Sequence, residues 1–284
     1  MLGSMVYNVL KDRYKLLLIY RDEDKLQLLE KAYGGIVAHK KIRFDLMGLY
    51  KDYYEGFPTV AVGPRMNALI KEVGEIDGFI NCAGITKPHS LKDPIVTMFI
   101  NGALPHILSA QYQSKLIHIT SDCAYHGLGG APYNERALKT PNDLYGLSKV
   151  LGESSERSLV LRTSIIGPEI AEFVLLISWF KKQEGNTIKG FINHFWNGIT
   201  TREFGNICEK IISNRDDYPA SGLFHVFSTD VSKYDMLIKF KEKYNVNVTI
   251  ESTEAPPVDR RLVTVHDLCA RLHVPSFENM INEL

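Results

Sequence analysis

The chain has 284 residues, of which 45% are apolar and 23% are charged, with 33 basic and 33 acidic side chains. The resulting net charge of zero excludes a global field that would attract nucleic acid or an anionic membrane. The four cysteines are far apart and the nine histidines lack metal-ligand spacing, so no metal site or disulfide framework is predicted. Without a signal pattern or an apolar run of about 20 residues, we expect a cytoplasmic protein.

Strand-like and helix-like segments alternate along the first part of the chain. In chain order they are a helix at 5–10, a strand at 15–20, a helix at 24–32, strands at 42–46 and 78–82, a helix at 93–111, a strand at 115–120, a helix at 142–156 and a strand at 158–163. This alternation predicts an α/β fold with a doubly wound parallel sheet that helices cover on both faces.

The pattern becomes looser after residue 166. Helices are predicted at 169–183, 202–213, 232–244 and 276–282, with short strands between them. We therefore expect a larger unit over residues 1–166 and a smaller α+β portion over 167–284, interleaved with the first. Ligands of such sheets bind at the carboxyl ends of the strands, so the cleft between the two portions is the expected site.

Tyr145 and Lys149 are four residues apart on a predicted helix and share one face of it. A nearby ammonium favours the phenolate, so this spacing predicts a tyrosine with a lowered pKa that exchanges a proton with a carbonyl oxygen. Ser121 and Asp122 follow the strand at 115–120, where a parallel sheet presents its site. The rival interpretations are a decorated surface helix and a pair of turn-capping residues.

Four segments carry a resemblance to a known family: ITSDCAYHG (119–127), PYNE (132–135), LYGLSK (144–149) and LRTSIIG (161–167). They resemble the extended short-chain dehydrogenase/reductases, in particular the dTDP-4-dehydrorhamnose reductase group, over nearly the whole chain. The resemblance implies a Rossmann-like fold in which Ser121 polarises the substrate oxygen, Tyr145 is the acid/base, and Lys149 tunes Tyr145 and holds the nicotinamide ribose. Cys123 and Ala124 replace an aromatic and a branched apolar residue of the group.

Several positions correspond to the family's cofactor site. Arg21 directly follows the second strand of the family pattern, where an arginine suits the 2′-phosphate of NADP, although Asp22 is adjacent and NAD(H) is also compatible. The remaining predicted cofactor contacts are Gly3, Asp45, Leu46, Asn81, Ala83, Gly84 and Asn101, together with Tyr145 and Lys149. A capping Asp or a turn Asn would look the same at these positions, and a solvated loop arginine is the rival interpretation of Arg21.

The family's first strand and the first two glycines of its GxxGxxG turn have no counterpart before Gly3. That strand is normally central, so its loss would leave two neighbouring strands without partners, at a cost of about 1 kcal/mol or more per buried group. We expect the natural protein to be longer by about ten residues, with Met1 an internal methionine. If the chain is complete, cofactor binding should be severely weakened.

The substrate side is predicted after residue 163. The segment 194–201 contains Trp196, Asn197 and Thr201, and it resembles the family's substrate loop, although a hydrophobic anchor would look the same. Arg260 and Arg261 are both candidates to grip a diphosphate through planar guanidinium groups, and a surface ion pair is the rival interpretation. Thr86, Ser121 and Asp122 complete the predicted substrate contacts.

Three functions are compatible with these features. The first is NADP(H)-dependent reduction of a nucleotide-linked 4-keto-6-deoxy sugar for surface polysaccharide or O-antigen precursors. The second is a nucleotide-sugar epimerase or dehydratase with tightly bound NAD. The third is a non-catalytic, cofactor-binding regulatory subunit, and a homodimer is compatible with all three.

Overall fold

The computed structural model describes residues 1–35, 40–54 and 63–284. Its strands are β1 (Leu17–Tyr20), β2 (Lys40–Arg43), β3 (Phe79–Asn81), β4 (Leu116–Ser121), β5 (Leu159–Thr163), β6 (Ile165–Ile166), β7 (Thr187–Phe191), β8 (His194–Trp196), β9 (Ile199–Thr200), β10 (Gly222–His225), β11 (Val231–Ser232), β12 (Thr249–Thr253) and β13 (Val258–Asp259). The order β10-β5-β4-β3 forms a parallel sheet, as predicted.

The helices are α1 (Leu2–Leu10), α2 (Glu23–Tyr33), α3 (Gly48–Tyr54), α4 (Pro64–Val73), α5 (Lys87–Ser90), α6 (Pro94–Thr97), α7 (Leu104–Tyr112), α8 (Leu144–Leu151), α9 (Leu176–Lys181), α10 (Thr201–Ser213), α11 (Lys233–Tyr244), α12 (Leu268–Leu272) and α13 (Phe277–Asn282). A π-helical segment, Met98–Ala103, joins α6 to α7. None of the helices in the described ranges has the length and apolar character needed to span a bilayer.

The parallel sheet is interrupted, as the sequence led us to expect. In the described part of the chain, β1 hydrogen-bonds only to β2, and β3 hydrogen-bonds only to β4. The two-stranded and four-stranded pieces still share one hydrophobic core, which includes Ile42 and Leu116. Within the described ranges, β1 and β3 each have a hydrogen-bonded neighbour on one side only, as do the outer strands β2 and β10.

Two further cores hold the sheet and the C-terminal portion. On the opposite face of the main sheet, Val6 of α1 packs with Phe204 of α10 and with Leu161 of β5. The C-terminal portion has its own hydrophobic core, in which Phe240 of α11 packs with residues that precede and follow this helix in the chain. Strand β10 lies after residue 167 and pairs with β5 of the main sheet.

Two predicted helices are too long. The helix predicted at 169–183 begins only at Leu176, because Glu172 and Phe173 have left-handed φ values of 68° and 51° that a helix does not accommodate. The helix predicted at 142–156 ends at Leu151. At the next position, Gly152, a Cβ atom would lie 2.0 Å from the carbonyl oxygen of Asn101, so this close approach requires glycine.

Candidate active site

Ser121 is the last residue of β4, and every residue of that strand is buried. Its hydroxyl oxygen accepts a hydrogen bond from the Cys123 backbone N–H at 3.1 Å, and its O–H lies 3.1 Å from Asp122 Oδ1. The chain then turns through a short 3₁₀ segment, Asp122–Ala124. The hydroxyl is thus fixed at the carboxyl end of the sheet, where the sequence predicted it.

Helix α8 brings Tyr145 to this strand end. The Asp143 carboxylate accepts a hydrogen bond from the Gly146 N–H at 2.7 Å, which starts the helix at Leu144. Tyr145 lies in the first turn, and its side chain is close to that of Ser121. A Cβ atom on Gly146 would lie 2.3 Å from the Cys123 carbonyl oxygen, so glycine permits this approach.

Lys149 lies one turn further along α8 and is only 5% exposed. Its Nζ atom donates a hydrogen bond to the Ile119 carbonyl oxygen at 2.8 Å. Burial lowers the pKa of Lys149 to about 8, and the Glu153 carboxylate acts in the opposite direction. The Lys149 ammonium is therefore hydrogen-bonded to β4, the strand that also carries Ser121.

The electrostatics of Tyr145 differ from the expectation. Burial raises the pKa of Tyr145, and the neighbouring Cys123 and Asp122 act in the same direction. The predicted lowering by Lys149 is wrong for this structure, because burial dominates and the ammonium is directed at Ile119. A phenol with a raised pKa is protonated at neutral pH and is able to donate a proton.

Asp122 forms the side of the site that faces the C-terminal portion. Its carboxylate is 8% exposed and hydrogen-bonds to the side chains of Ser121 and Ser164. Burial raises the pKa of Asp122, whereas the nearby cations Arg260 and Lys233 act to lower it. The predicted substrate contacts Ser121 and Asp122 thus lie together.

Around the end of β3, the predicted cofactor residues form a hydrogen-bonded unit. Asn81 Oδ1 accepts the Ala83 N–H at 3.1 Å, and its Nδ2 lies 3.2 Å from His118 Nδ1. Asn101, in the π-helical segment, accepts the Ile85 N–H at 2.8 Å and donates to Ser148 Oγ at 3.1 Å. Asn101 therefore connects this loop to α8, at the residue that precedes Lys149.

The other predicted cofactor residues surround the same edge of the sheet. Arg21 is exposed directly after β1. Gly84 is also exposed, and a Cβ atom on Gly3 would lie 3.3 Å from Cys82 Cβ, so α1 packs closely behind β3. Asp45 accepts the Met47 N–H at 3.0 Å as a turn residue, and Leu46 packs in the core shared by the two sheet pieces.

Three predicted substrate residues have structural contacts instead. Trp196 is 6% exposed and packs against Phe277, with ring centroids 5.8 Å apart. Asn197 is 4% exposed and makes two hydrogen bonds with the Leu262 backbone, at 2.9 and 3.0 Å. Thr201 is fully buried at the start of α10. All three residues fit the alternative interpretation, in which the segment 194–201 is a hydrophobic anchor of the C-terminal portion.

The two adjacent arginines are in different environments. Arg261 is bound to Asp259 and to Asp230, with closest N–O distances of 2.7 and 2.6 Å. Arg260 instead donates to the carbonyl oxygens of Tyr125 at 2.8 Å and His126 at 3.1 Å. Its charge has no carboxylate partner within 4.0 Å in the described residues, so Arg260 is the stronger candidate for an anionic ligand.

A model of the RmlD substrate binding domain family matches residues 68–261. The chain belongs to this family. RmlD-like proteins are NAD(P)-dependent nucleotide-sugar reductases of the extended short-chain dehydrogenase/reductase class, so the resemblance seen in the sequence is confirmed.

Two named proteins are similar to the chain over part of its length. It is 28% identical over 202 residues to the probable low-salt glycan biosynthesis reductase Agl14 of Haloferax volcanii, which covers 66% of each protein. It is 24% identical over 183 residues to methionine adenosyltransferase 2 subunit beta of Xenopus tropicalis, which covers 59% of this chain and 54% of that one. The chain thus spans between half and two thirds of these relatives' length.

The fold is similar to that of a dTDP-4-dehydrorhamnose reductase from Bacillus anthracis, solved in complex with NADP. The TM-score is 0.66 at 18% identity, and the likeness covers 95% of this chain and 98% of that chain. At this level of identity the likeness shows the fold, and it confirms the predicted α/β architecture.

The structure adds residues to the RmlD-like site that the sequence did not indicate. Gly146 sets the approach of α8, and Ser164 hydrogen-bonds to Asp122. Lys87 forms an ion pair of 2.7 Å with Asp143. Gly146 lies within the LYGLSK segment, so its small size was the available signal. Ser164 lies within the LRTSIIG segment that carries the resemblance, whereas Lys87 is distant in sequence from Asp143 and gave no signal.

Proposed function

We propose that this chain uses NADP(H) to reduce a nucleotide-linked 4-keto-6-deoxy sugar, in the synthesis of surface polysaccharide or O-antigen precursors. One observation carries the proposal: the Tyr145 phenol lies close enough to the Ser121 hydroxyl for that hydroxyl to act on the pKa of Tyr145, one helical turn from the buried Lys149 ammonium. A protonated phenol, a second hydroxyl and a buried cation at one strand end are suited to protonating a ketone oxygen.

The roles of the three side chains follow from their charges. A bound nicotinamide cofactor supplies the hydride that is added to the ketone carbon. Ser121 orients the ketone oxygen, and Tyr145 donates its proton to that oxygen, giving the alcohol. The raised pKa of Tyr145 keeps this proton in place before reaction. The Lys149 cation stabilises the phenolate that remains afterwards.

The residues present fit a dinucleotide at its two ends. The exposed guanidinium of Arg21 lies beyond β1, where it suits a 2′-phosphate, and this supports NADP(H) over NAD(H). The segment Asn81–Gly84 follows β3, and Asn101 hydrogen-bonds to Ile85 just beyond it, so both are suited to contacting the cofactor. On the substrate side, the Arg260 guanidinium suits the diphosphate. The Thr86 side chain makes no capping hydrogen bond to α5, so its hydroxyl suits a contact with the substrate.

The test is NADPH consumption with dTDP-4-keto-6-deoxyglucose, using the full chain and the Tyr145→Phe variant. Tyr145→Phe removes only the donor oxygen, so activity should fall by at least about 10²-fold while thermal stability stays nearly constant. Tyr218→Phe, which loses a hydroxyl outside the site, is the matched control and should retain activity. Near-normal turnover by Tyr145→Phe would refute the assignment.

A regulatory subunit is the second candidate, because the chain is similar to methionine adenosyltransferase 2 subunit beta. It predicts that the chain turns over no 4-keto nucleotide sugar and co-purifies stably with a partner protein. The complete Ser121, Tyr145 and Lys149 set favours the reductase.

A further inference from the structure

His118 is a buried histidine that the proposed chemistry does not use. It lies in the middle of β4 and is fully buried. In the parallel ladder of the main sheet it is paired directly with Asn81, the last residue of β3. The two side chains lie on the same face of the sheet, and Asn81 Nδ2 is 3.2 Å from His118 Nδ1. The histidine therefore contacts the residue from which the loop after β3 begins.

The orientation of the Asn81 amide determines which ring nitrogen of His118 carries the hydrogen. Asn81 Oδ1 accepts the Ala83 N–H at 3.1 Å, so the amide turns its NH₂ group to His118. An NH₂ group only donates, and His118 Nδ1 is therefore the acceptor. The ring is consequently neutral, with its hydrogen on Nε2. Burial lowers the pKa of His118 well below its ordinary value, and the nearby Lys149 and His106 act in the same direction.

This form of the ring has a cost. The Nε2 atom is buried and has no hydrogen-bond partner among the residues that the structure describes. Because it carries the hydrogen, a donor is left unpaired in the interior, which costs free energy. Leu116, on the same face of β4 two residues earlier, fills a comparable buried place without such a cost. Core packing alone therefore does not explain a histidine at position 118.

The acceptor on His118 distinguishes the two orientations of the Asn81 amide. If the amide were rotated by half a turn, its oxygen would face the Nδ1 lone pair and its NH₂ group would face the Ala83 N–H. Both hydrogen bonds would then be lost. The observed orientation holds the turn from Asn81 to Ala83, and the exposed Gly84 follows directly. This is the loop that the proposed function assigns to the cofactor.

We propose that His118 is a positioning residue for the nicotinamide cofactor, because its Nδ1 atom keeps the Asn81 amide in the orientation that shapes the loop after β3. This inference rests on the proposed function. His118 acts through Asn81 and does not touch the reacting groups. Its effect should therefore fall on cofactor affinity, while the nucleotide end of the substrate, which is assigned to Arg260, should bind as before.

The binding test compares His118→Met with His118→Gln in the full chain. The two replacement side chains are similar in length and flexibility, but only glutamine offers an amide oxygen that accepts from Asn81 Nδ2. In a fluorescence titration with NADPH, His118→Met should bind about fivefold to tenfold more weakly than His118→Gln, as expected for the loss of one neutral hydrogen bond. Calorimetric titration with dTDP should give the same affinity for both variants and for the unaltered chain.

The outcomes separate this inference from the proposed function. Equal NADPH affinities of the two variants would overturn the inference alone, since the acceptor would then have no effect on the cofactor. Equal losses of NADPH and dTDP affinity in His118→Met would also overturn it, because they would show a purely structural role. If the unaltered chain binds no NADPH, the proposed function fails, and this inference fails with it.

The state of the ring is tested without any cofactor. In the unaltered chain with isotope-labelled histidine nitrogens, NMR at neutral pH should show that the His118 ring is neutral with its hydrogen on Nε2. The signals of His118 are identified by their absence from the spectra of His118→Gln or His118→Met. A hydrogen on Nδ1, or a protonated ring, would overturn the inference even if NADPH binds.

Discussion

The Glu153→Gln substitution tests a buried ion pair behind the candidate site. Arg162 on β5 is fully buried, and Glu153 follows α8 with a side chain that is 2% exposed. Arg162 Nη2 donates to both carboxylate oxygens at 2.7 Å, and Nε donates to Oε1 at 2.9 Å. Thr120 bridges the same carboxylate oxygen, at 3.2 Å, and the Lys149 carbonyl, at 3.3 Å. The pair therefore connects the catalytic helix to the sheet.

The expected loss can be derived from these contacts. Glutamine keeps the shape and one acceptor oxygen but removes the only carboxylate that the Arg162 guanidinium contacts in the described residues. Leaving one buried partner uncompensated costs about 3–5 kcal/mol. We expect a loss of stability near the lower end of this range, because two acceptors remain for Arg162. They are the glutamine oxygen and the Tyr125 hydroxyl, which accepts from Nη1 at 2.8 Å.

Lys139→Met is the matched control for this prediction. Lys139 also contacts Glu153, but the Lys139 side chain is 35% exposed. When Lys139 is replaced, the Glu153 carboxylate still has its ion pair with Arg162. We expect a loss of about 1 kcal/mol or less. The free energy of unfolding is measured by urea titration with fluorescence detection. If Glu153→Gln loses no more stability than Lys139→Met, the buried pair does not stabilise the fold as argued.

Two further predictions concern the catalytic helix. Gly146→Ala places a Cβ atom 2.3 Å from the Cys123 carbonyl oxygen, so Tyr145 is displaced and turnover should fall by about 10²-fold. The control is Gly48→Ala, whose added Cβ atom would have its nearest contact at 3.7 Å and which should retain activity. Because the pKa of Lys149 is lowered to about 8, its charge is lost as pH rises through that value, and turnover should fall with it. Lys149→Arg should shift this fall to higher pH, and a profile that is flat well above pH 8 would contradict the assigned role.

Local patterns predicted the framework of the site. Strand periodicity and the strand-end rule placed Ser121 correctly, and the four-residue spacing placed Tyr145 and Lys149 on one face of α8. The direction of the Tyr145 pKa was not predictable in this way. It depends on how deeply the phenol is buried and on the carbonyl of Ile119 that attracts Lys149, and both are tertiary features.

The substrate side shows the limit of reading contacts from sequence. Arg260 and Arg261 are adjacent and indistinguishable by pattern. They differ in the structure because Arg261 pairs with Asp259 and with Asp230, which lies 31 residues away along the chain. Trp196 was predicted to contact substrate, yet Phe277, a distant residue, makes it part of the core. Residues that acquire a role through distant partners give no local signal.

Transfer of deuterium from NADPH labelled at its reactive carbon tests the central claim most directly. With the full chain and dTDP-4-keto-6-deoxyglucose, mass spectrometry of the sugar product should show one deuterium on the carbon that carries the new hydroxyl, and Tyr145→Phe should form almost no labelled product. An unlabelled product formed without net NADPH consumption would contradict the reductase account and favour the epimerase. Absence of any product from the unaltered chain, under conditions in which it binds NADPH, would contradict catalysis itself.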